Sequence, residues 1–132
     1  MKVEKSCGAF VLDNDKVLVI KQKKLGNYGF PKGHMEPNET EKETSIREVK
    51  EETGVDIEII SDKRYFISYP KDENTNKEVV YFLAKLKNKD NEKNQEEEIS
   101  EILWLNINDV QNIITFEDMK TLWIDAKNDL RR

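Results

Sequence analysis

Apolar residues recur along the chain in short runs separated by polar turns, a pattern typical of β-strands. The runs at 8–12 and 17–20 flank Asp13-Asn14-Asp15, which predicts a β-hairpin with an Asx-type turn. The polar segment 70–77 is predicted to be a turn, and the charged segment 88–98 a mobile loop. The remaining strand-like runs are rich in β-branched and aromatic residues. They lie at 57–60, 65–69, 78–86 and 102–105.

Helix signals lie in the middle and at the end of the chain. Thr40 and Glu43 form the Thr-x-x-Glu capping box and Gly54 is a suitable C′ residue, which predicts a helix over 41–53. Asn108 is expected to cap a short helix through Ile114, and a last helix is expected over 117–130. This order favours the α/β (α+β) class, with a mixed sheet flanked by helices.

Length and composition narrow the class of protein further. The 132 residues predict one domain over 1–132, with 36% hydrophobic and 37% charged residues. No run of about 18 apolar residues exists and the N-terminus lacks a secretory pattern, which predicts a protein with no membrane span. One cysteine and one histidine exclude an internal disulfide and a multi-histidine metal site, and they favour the cytoplasm.

Charge bears on how the protein can handle phosphates. The chain has 22 Lys and Arg against 27 Asp and Glu, a formal net charge of −5. An acidic chain does not attract nucleic acid by bulk charge, so nucleic acid is not expected as an obligatory partner. Phosphates must then be bound locally or through divalent cations.

The helix predicted over 41–53 lacks the apolar stripe of an ordinary surface helix. Its aliphatic residues are Ile46 and Val49, which form one narrow face. Glu48, Glu51 and Glu52 are spaced i, i+3 and i+4, so their carboxylates converge on another face. From the residues alone, this is either a solvated acidic face or a site for a hard divalent cation such as Mg²⁺.

The setting of these glutamates carries a family resemblance. Gly33, Glu39 and the run Arg-Glu-Val-Lys-Glu-Glu-Thr-Gly-Val at 47–55 stand at fixed spacings. Over 33–55 the chain resembles the signature box of the Nudix hydrolase family. The resemblance implies an α/β/α sandwich. It also implies cleavage of nucleoside diphosphates linked to another group, with two or three Mg²⁺ ions or Mn²⁺ in their place.

Carried onto this chain, the box implies a role for each of its matching residues. The metal-binding carboxylates are those of the three clustered glutamates, and the backbone carbonyl of Gly33 also binds a cation. Glu39 and Arg47 match a pair that joins the loop to the helix, a structural role. Divalent cations reverse the local charge and make bound water more acidic, which suits attack on a pyrophosphate. The glutamates to which the resemblance gives the metal-binding role are Glu48, Glu51 and Glu52.

A further metal ligand or base in this family comes from a loop before a strand that contains Trp and an aliphatic residue. Counting back from Trp104, Glu98 is the match, while Glu96 and Glu97 are expected to solubilise the loop. In the group of Nudix hydrolases that this chain most resembles, described next, a histidine lies near this position. In this chain the residues on either side of Glu98 are Glu97 and Ile99. The geometry of this ligand therefore stays open.

Residues 28–34, Tyr-Gly-Phe-Pro-Lys-Gly-His, resemble the asymmetrical bis(5′-nucleosyl)-tetraphosphatase group of the family. The resemblance implies that His34 donates to a phosphate oxygen and that Lys32 adds positive charge. A lone histidine or lysine is otherwise most often a surface residue.

The same resemblance continues beyond the box into residues that would bind a nucleoside. Tyr81 and Phe116 match the two rings that stack on adenine, and Phe82 on the opposite face is expected in the core. Lys85 shares the face of Tyr81 by two-residue alternation and is predicted to meet a phosphate. The two tryptophans, Trp104 and Trp123, are assigned to the core.

Together these residues predict a Mg²⁺-dependent hydrolase that splits diadenosine tetraphosphate to ATP and AMP, acting as a monomer or homodimer. The alternatives are an RNA 5′-end pyrophosphohydrolase, a hydrolase of (d)NTPs or other nucleoside diphosphates, and a nucleotide-sensing module without catalysis. The negative net charge disfavours RNA, and intact box carboxylates disfavour a sensor.

Overall fold

A computed structural model describes residues 1–131, which form one eight-stranded sheet and three helices. Two long strands, β1 and β7, run parallel at the centre of the sheet, and all other pairings are antiparallel. The strands are β1 (Lys2–Asp13), β2 (Lys16–Gln22), β3 (Tyr28–Gly29), β4 (Lys32–His34), β5 (Asp56–Ile59), β6 (Tyr65–Asp72), β7 (Thr75–Asn88) and β8 (Ile99–Asn106). The helices are α1 (Glu41–Thr53), α2 (Val110–Ile113) and α3 (Glu117–Leu130).

Alternation along the central strands produces two apolar layers. Phe10 of β1 packs with the fully buried Trp123 of α3 on one face of the sheet. Ala9 and Val11 pack with Val49 of α1 on the other face. Helices therefore cover both faces, which confirms the predicted α/β/α sandwich with a mixed sheet.

The strand predictions hold at the hairpin and fail at one turn. Leu12 pairs with Val17 in the predicted hairpin, and Asn14 adopts a positive φ of 54° in its turn. The turn predicted over 70–77 is wrong, because β6 continues to Asp72 and β7 begins at Thr75. The sheet ladder satisfies the backbone of this polar hairpin, so polar side chains facing solvent do not end the strands.

The helix predictions hold for α1 and α3, although only α1 has a side-chain cap at its N-terminus. Thr40 and Glu43 make both hydrogen bonds of the capping box, and Gly54 ends α1 with φ of 73°. The prediction that Asn108 caps the next helix is wrong: α2 follows Asp109, and no side chain caps it. The last helix covers 117–130 as predicted. Among residues 1–131 no helix is long and apolar enough to cross a lipid bilayer.

Removal of the capping box is expected to destabilise the helix that carries the glutamate cluster. Thr40→Ala deletes the acceptor for the Glu43 N–H and is expected to lower the free energy of unfolding by about 1 kcal/mol. Urea denaturation measures the change. Thr40→Ser keeps the acceptor and serves as the control; equal stability of the two variants would contradict the capping role.

Candidate active site

α1 presents three glutamates toward the loop that precedes it, at very different depths. Glu52 is 8% exposed and Glu48 is mostly buried, whereas the Glu51 side chain is 55% exposed. The three glutamates are spaced i, i+3 and i+4 along the helix, so their carboxylates share one face of α1.

Arg47 holds the loop and the glutamates together. Its guanidinium donates to both carboxylate oxygens of Glu39, at 2.6 Å from Nε and 2.9 Å from Nη2. Nη2 also donates to the His34 carbonyl at 3.0 Å. Nη1 donates to Glu48 at 2.8 Å and to Glu51 at 3.1 Å. A planar guanidinium can satisfy this many acceptors at once, which a lysine ammonium cannot.

β4 lies close enough to α1 to make two further contacts. The backbone N–H of Lys32 donates to Glu52 Oε1 at 2.9 Å. A Cβ placed on Gly33 would lie 1.4 Å from Oε2 of Glu48, so only glycine lets this carboxylate approach the loop backbone. The glycine of the box is therefore required by the position of the Glu48 carboxylate.

Burial and crowding favour the neutral forms of the two inner glutamates. Burial raises the pKa of Glu52 to about 8, against the opposing effect of the Lys32 N–H. Burial, with Glu51 beside it, raises the pKa of Glu48 to about 7, although Arg47 acts in the opposite direction. The chain thus supplies less positive charge than these carboxylates need to ionise fully.

Residues 89–98 bring Glu98 to the same place from the far end of the sheet, and we call this segment the strap. The N–H groups of Lys93 and Gln95 donate to the carbonyls of Thr53 and Glu52, at 2.9 and 3.0 Å, and so cap the end of α1. The strap was predicted to be a mobile loop, but hydrogen bonds tie its backbone to the helix. The Glu98 N–H donates to the Gln95 side-chain oxygen at 2.8 Å.

These elements enclose a polar cavity of about 430 Å³, which we call the carboxylate cavity. It brings together the predicted Lys32, Gly33, His34 and the four glutamates. Its remaining lining residues were not predicted from the sequence. They are Ser6, Gln22, Lys77 and Gln95.

Lys77 is the main cation that sequence reasoning missed. Its ammonium donates to Ser6 Oγ at 2.9 Å and lies 3.3 Å from Nε2 of His34. Position 77 shares the face of Val79 and Tyr81 by alternation, a signal that was lost when 70–77 was assigned to a turn.

A second cavity, of about 640 Å³ and mostly apolar, adjoins the first; we call it the apolar cavity. Gln22 and Lys32 line both. The rings of Phe116 and Tyr69 lie at its rim, 52% and 41% exposed. Its other lining residues are Lys24, Leu25, Asn27, Gly29, Phe30, Ile67, Val79, Tyr81, Asp118 and Met119.

Two of the predicted substrate residues occupy unexpected positions. Tyr81 lines the apolar cavity but is only 1% exposed, because its ring stacks on Phe10 at 4.8 Å between centroids. Lys85 lies outside both cavities, where its ammonium is 3.6 Å from the Glu58 carboxylate. Alternation places both on one face of β7 but does not give their depth or their distance from the site.

The donor set fits a hard divalent cation. Glu48 and Glu51 each direct a carboxylate oxygen at Arg47. Within residues 1–131, no three acidic or imidazole side chains are arranged so that they could hold a metal ion together. The donors are nevertheless all oxygens, on one helix face and the strap, and burial raises the pKa values of two of the carboxyl groups, Glu48 and Glu52. Mg²⁺ prefers such carboxylate oxygens.

Comparison with known proteins places this geometry in a family. A model of the NUDIX domain matches residues 3–124, almost the whole chain. The chain belongs to the Nudix family. This family generally uses a divalent metal such as Mg²⁺, in keeping with the carboxylate cavity.

Individual Nudix relatives resemble the chain to different extents. A pig protein named bis(5′-nucleosyl)-tetraphosphatase (asymmetrical) is 36% identical over 95 residues, 70% of this chain and 64% of that protein. The crystal structure of a C. elegans Ap4A hydrolase binary complex superposes with a TM-score of 0.82 at 26% identity, covering 97% of this chain and 98% of that one. An RNA pyrophosphohydrolase of Erythrobacter litoralis is 37% identical over 60 residues, 42% of this chain and 37% of that protein.

Arg47→Lys tests the contact between α1 and the loop before it, which carries Glu39. Lysine keeps the charge but loses the paired hydrogen bonds to Glu39, so the Tm at pH 7 is expected to fall by about 5 °C. Arg47 lowers the pKa of the Glu39 carboxyl from 4.5 to about 2. The stabilisation is therefore complete above pH 4.5 and is lost as the pH falls toward 2.

Thermal unfolding of wild type and variant between pH 7 and pH 2.5 measures this dependence. The difference in Tm is expected to narrow below pH 4.5. A difference that stays constant down to pH 2.5 would show that Glu39 is not the partner that matters.

Proposed function

We propose that this chain is a single-domain, Mg²⁺-dependent hydrolase that splits diadenosine tetraphosphate and water into ATP and AMP. The observation that carries the proposal is the junction of the two cavities at Gln22 and Lys32. An apolar cavity with aromatic rings at its rim suits a nucleobase, and an adjoining cavity of carboxylates and lysines suits a metal-bound polyphosphate. The names of the pig and C. elegans relatives support the same substrate.

The charged residues of the carboxylate cavity, together with Gly33 and His34, have roles in this reaction. Glu48, Glu51, Glu52 and Glu98, with the Gly33 carbonyl, would hold two or three divalent cations. When bound, such cations supply positive charge opposite the polyphosphate and make water more acidic. Lys32 and Lys77 neutralise phosphate charge, and His34 donates to a phosphate oxygen.

The bond changes follow from this arrangement. A water oxygen forms a bond to one phosphorus atom while the bridging P–O bond on the far side breaks. A carboxylate of the glutamate cluster accepts the water proton. Phe116 and Tyr69 hold the base, and Tyr81 forms the floor beneath it.

A comparison of substrates tests the proposal. Purified protein with Mg²⁺ is given diadenosine tetraphosphate, triphosphorylated RNA, dNTPs and ADP-ribose, and the products are separated by chromatography. We expect the highest kcat/KM for diadenosine tetraphosphate, with equal amounts of ATP and AMP. Preference for RNA would favour the activity named for the Erythrobacter relative, and absence of turnover on every substrate would favour a sensing module.

Glu52→Gln tests the role of charge at the deepest carboxylate. Glutamine keeps an oxygen for the Lys32 N–H but cannot ionise, so kcat is expected to fall by about 100-fold or more, a change of about 2.7 kcal/mol. Steady-state kinetics measures the loss, and an unchanged far-UV spectrum shows that the fold is kept.

Two neighbouring glutamates of the strap provide a matched pair for the same assay. Glu98→Gln is expected to reduce kcat, whereas Glu97→Gln is expected to leave it unchanged, because Glu98 and not Glu97 lines the carboxylate cavity. For the Glu52→Gln variant described above, turnover at the wild-type rate would show that Glu52 is not part of the metal site.

Phe116→Ala tests the apolar cavity as the base site. Loss of one stacked ring is expected to raise KM by about tenfold, since a stacked base contributes about 1–3 kcal/mol. Ile124→Ala removes an exposed apolar side chain of α3 that lies outside both cavities, and it is the control. A change in KM of equal size in both variants would contradict a specific contact with the base.

A further inference from the structure

Gln22 occupies the point where the two cavities meet, a position that no part of the Nudix box assigns. Gln22 and Lys32 line both cavities. A nucleotide with its base in the apolar cavity and its phosphates in the carboxylate cavity would place its ribose and first phosphate at this junction. Lys32 can match a phosphate charge there, and Gln22 offers a neutral amide.

The pairing of β2 with β8 changes at Gln22. The two strands pair in regular register from Lys16 to Lys21, after which Gln22 pairs with Ile99 and the ladder skips Ser100 of β8. The bulge therefore lies on β8 and bends that strand where it faces Gln22, the last residue of β2. The next residue, Lys23, donates its N–H to the Glu98 carbonyl at 2.8 Å, so the same bend also adjoins the strap.

The backbone and side chain of Gln22 differ in how they are used. Its N–H donates to the Asn27 carbonyl at 2.8 Å, and its carbonyl accepts from the Gly26 N–H at 3.0 Å. By contrast, no hydrogen bond within residues 1–131 involves its side-chain amide. In Gln95, the other glutamine of the carboxylate cavity, the side-chain oxygen already accepts a hydrogen bond from the Glu98 N–H. The Gln22 amide therefore has two donors and an acceptor available to a ligand.

We propose that Gln22 is a substrate-positioning residue that binds the ribose–phosphate link and so sets which P–O–P bond lies beside the glutamates. The inference rests on the proposed function. Stacking in the apolar cavity holds a base through its π-face and makes no contact with the phosphates, so it does not fix their position in the carboxylate cavity. A hydrogen bond at the junction fixes the position of the polyphosphate. That position determines which P–O–P bond is cleaved, and so gives ATP and AMP as products.

Product analysis of Gln22→Ala with diadenosine tetraphosphate and Mg²⁺ tests this role. Loss of one hydrogen bond is expected to raise KM by about three- to tenfold. A measurable share of ADP is also expected, because a displaced polyphosphate exposes its central bond to attack. Gln22→Glu keeps the shape but repels phosphate, so its KM is expected to rise more than that of the alanine variant. Gln111→Ala, a glutamine of α2 outside both cavities, is the control and is expected to keep the wild-type KM and products.

A binding measurement separates this inference from the proposed function. If wild type cleaves diadenosine tetraphosphate and Gln22→Ala keeps both its KM and its products, the role of Gln22 is overturned alone. If wild type does not cleave it, the proposed function fails. Calorimetric titration of a nonhydrolysable ATP analogue into both proteins then decides the contact: weaker binding by the variant supports it, and equal affinity, or no binding to wild type, overturns it.

Discussion

Crowding of carboxylates along one face of α1 is the constraint on which the rest of the site depends. Glu48 and Glu52 lie one turn apart, both withdrawn from water, and burial raises their pKa values to about 7 and about 8. Aliphatic residues at these positions would stabilise the helix against the sheet at no electrostatic cost. The chain instead offsets the charge only in part, through Arg47 and the Lys32 N–H. A bound cation would offset the remaining deficit of positive charge.

The supports of these carboxylates come from backbone groups of distant segments. The strap caps the last carbonyls of α1, which simultaneously satisfies the helix end and delivers Glu98. Gly54 permits this contact, since a Cβ there would lie 2.0 Å from the Asn91 carbonyl and φ is positive. Gly33 permits the matching approach on the other side. The contacts that cap the C-terminal end of α1 are therefore also contacts that assemble the site.

Sequence alone predicts the parts of this structure whose causes are local. The capping box of Thr40, the hairpin around Asn14 and the glutamate spacing on α1 depend on residues within a few positions of each other. Lys77 escaped prediction because the polar hairpin that carries it resembles a turn unless its pairing partner is known. Alternation correctly separates Tyr81 from Phe82 but says nothing of depth, which is set by Phe10 on a strand far away in sequence.

The parallel pairing of β1 with β7 joins β4, at the carboxylate cavity, to the strand that lines the apolar cavity. Residues 6–8 of β1 pair with β4 on one edge and with β7 on the other, so Gly8 stands opposite both Lys32 and Tyr81. A Cβ on Gly8 would lie 2.1 Å from the Pro31 carbonyl, so this close approach needs glycine. With neighbouring strands about 4.8 Å apart, the two flanking strands are held about 10 Å from each other. This spacing is fixed by backbone ladders rather than by side chains, so a ligand that occupies both cavities must match it with a linker of suitable length, as the polyphosphate of the proposed substrate would.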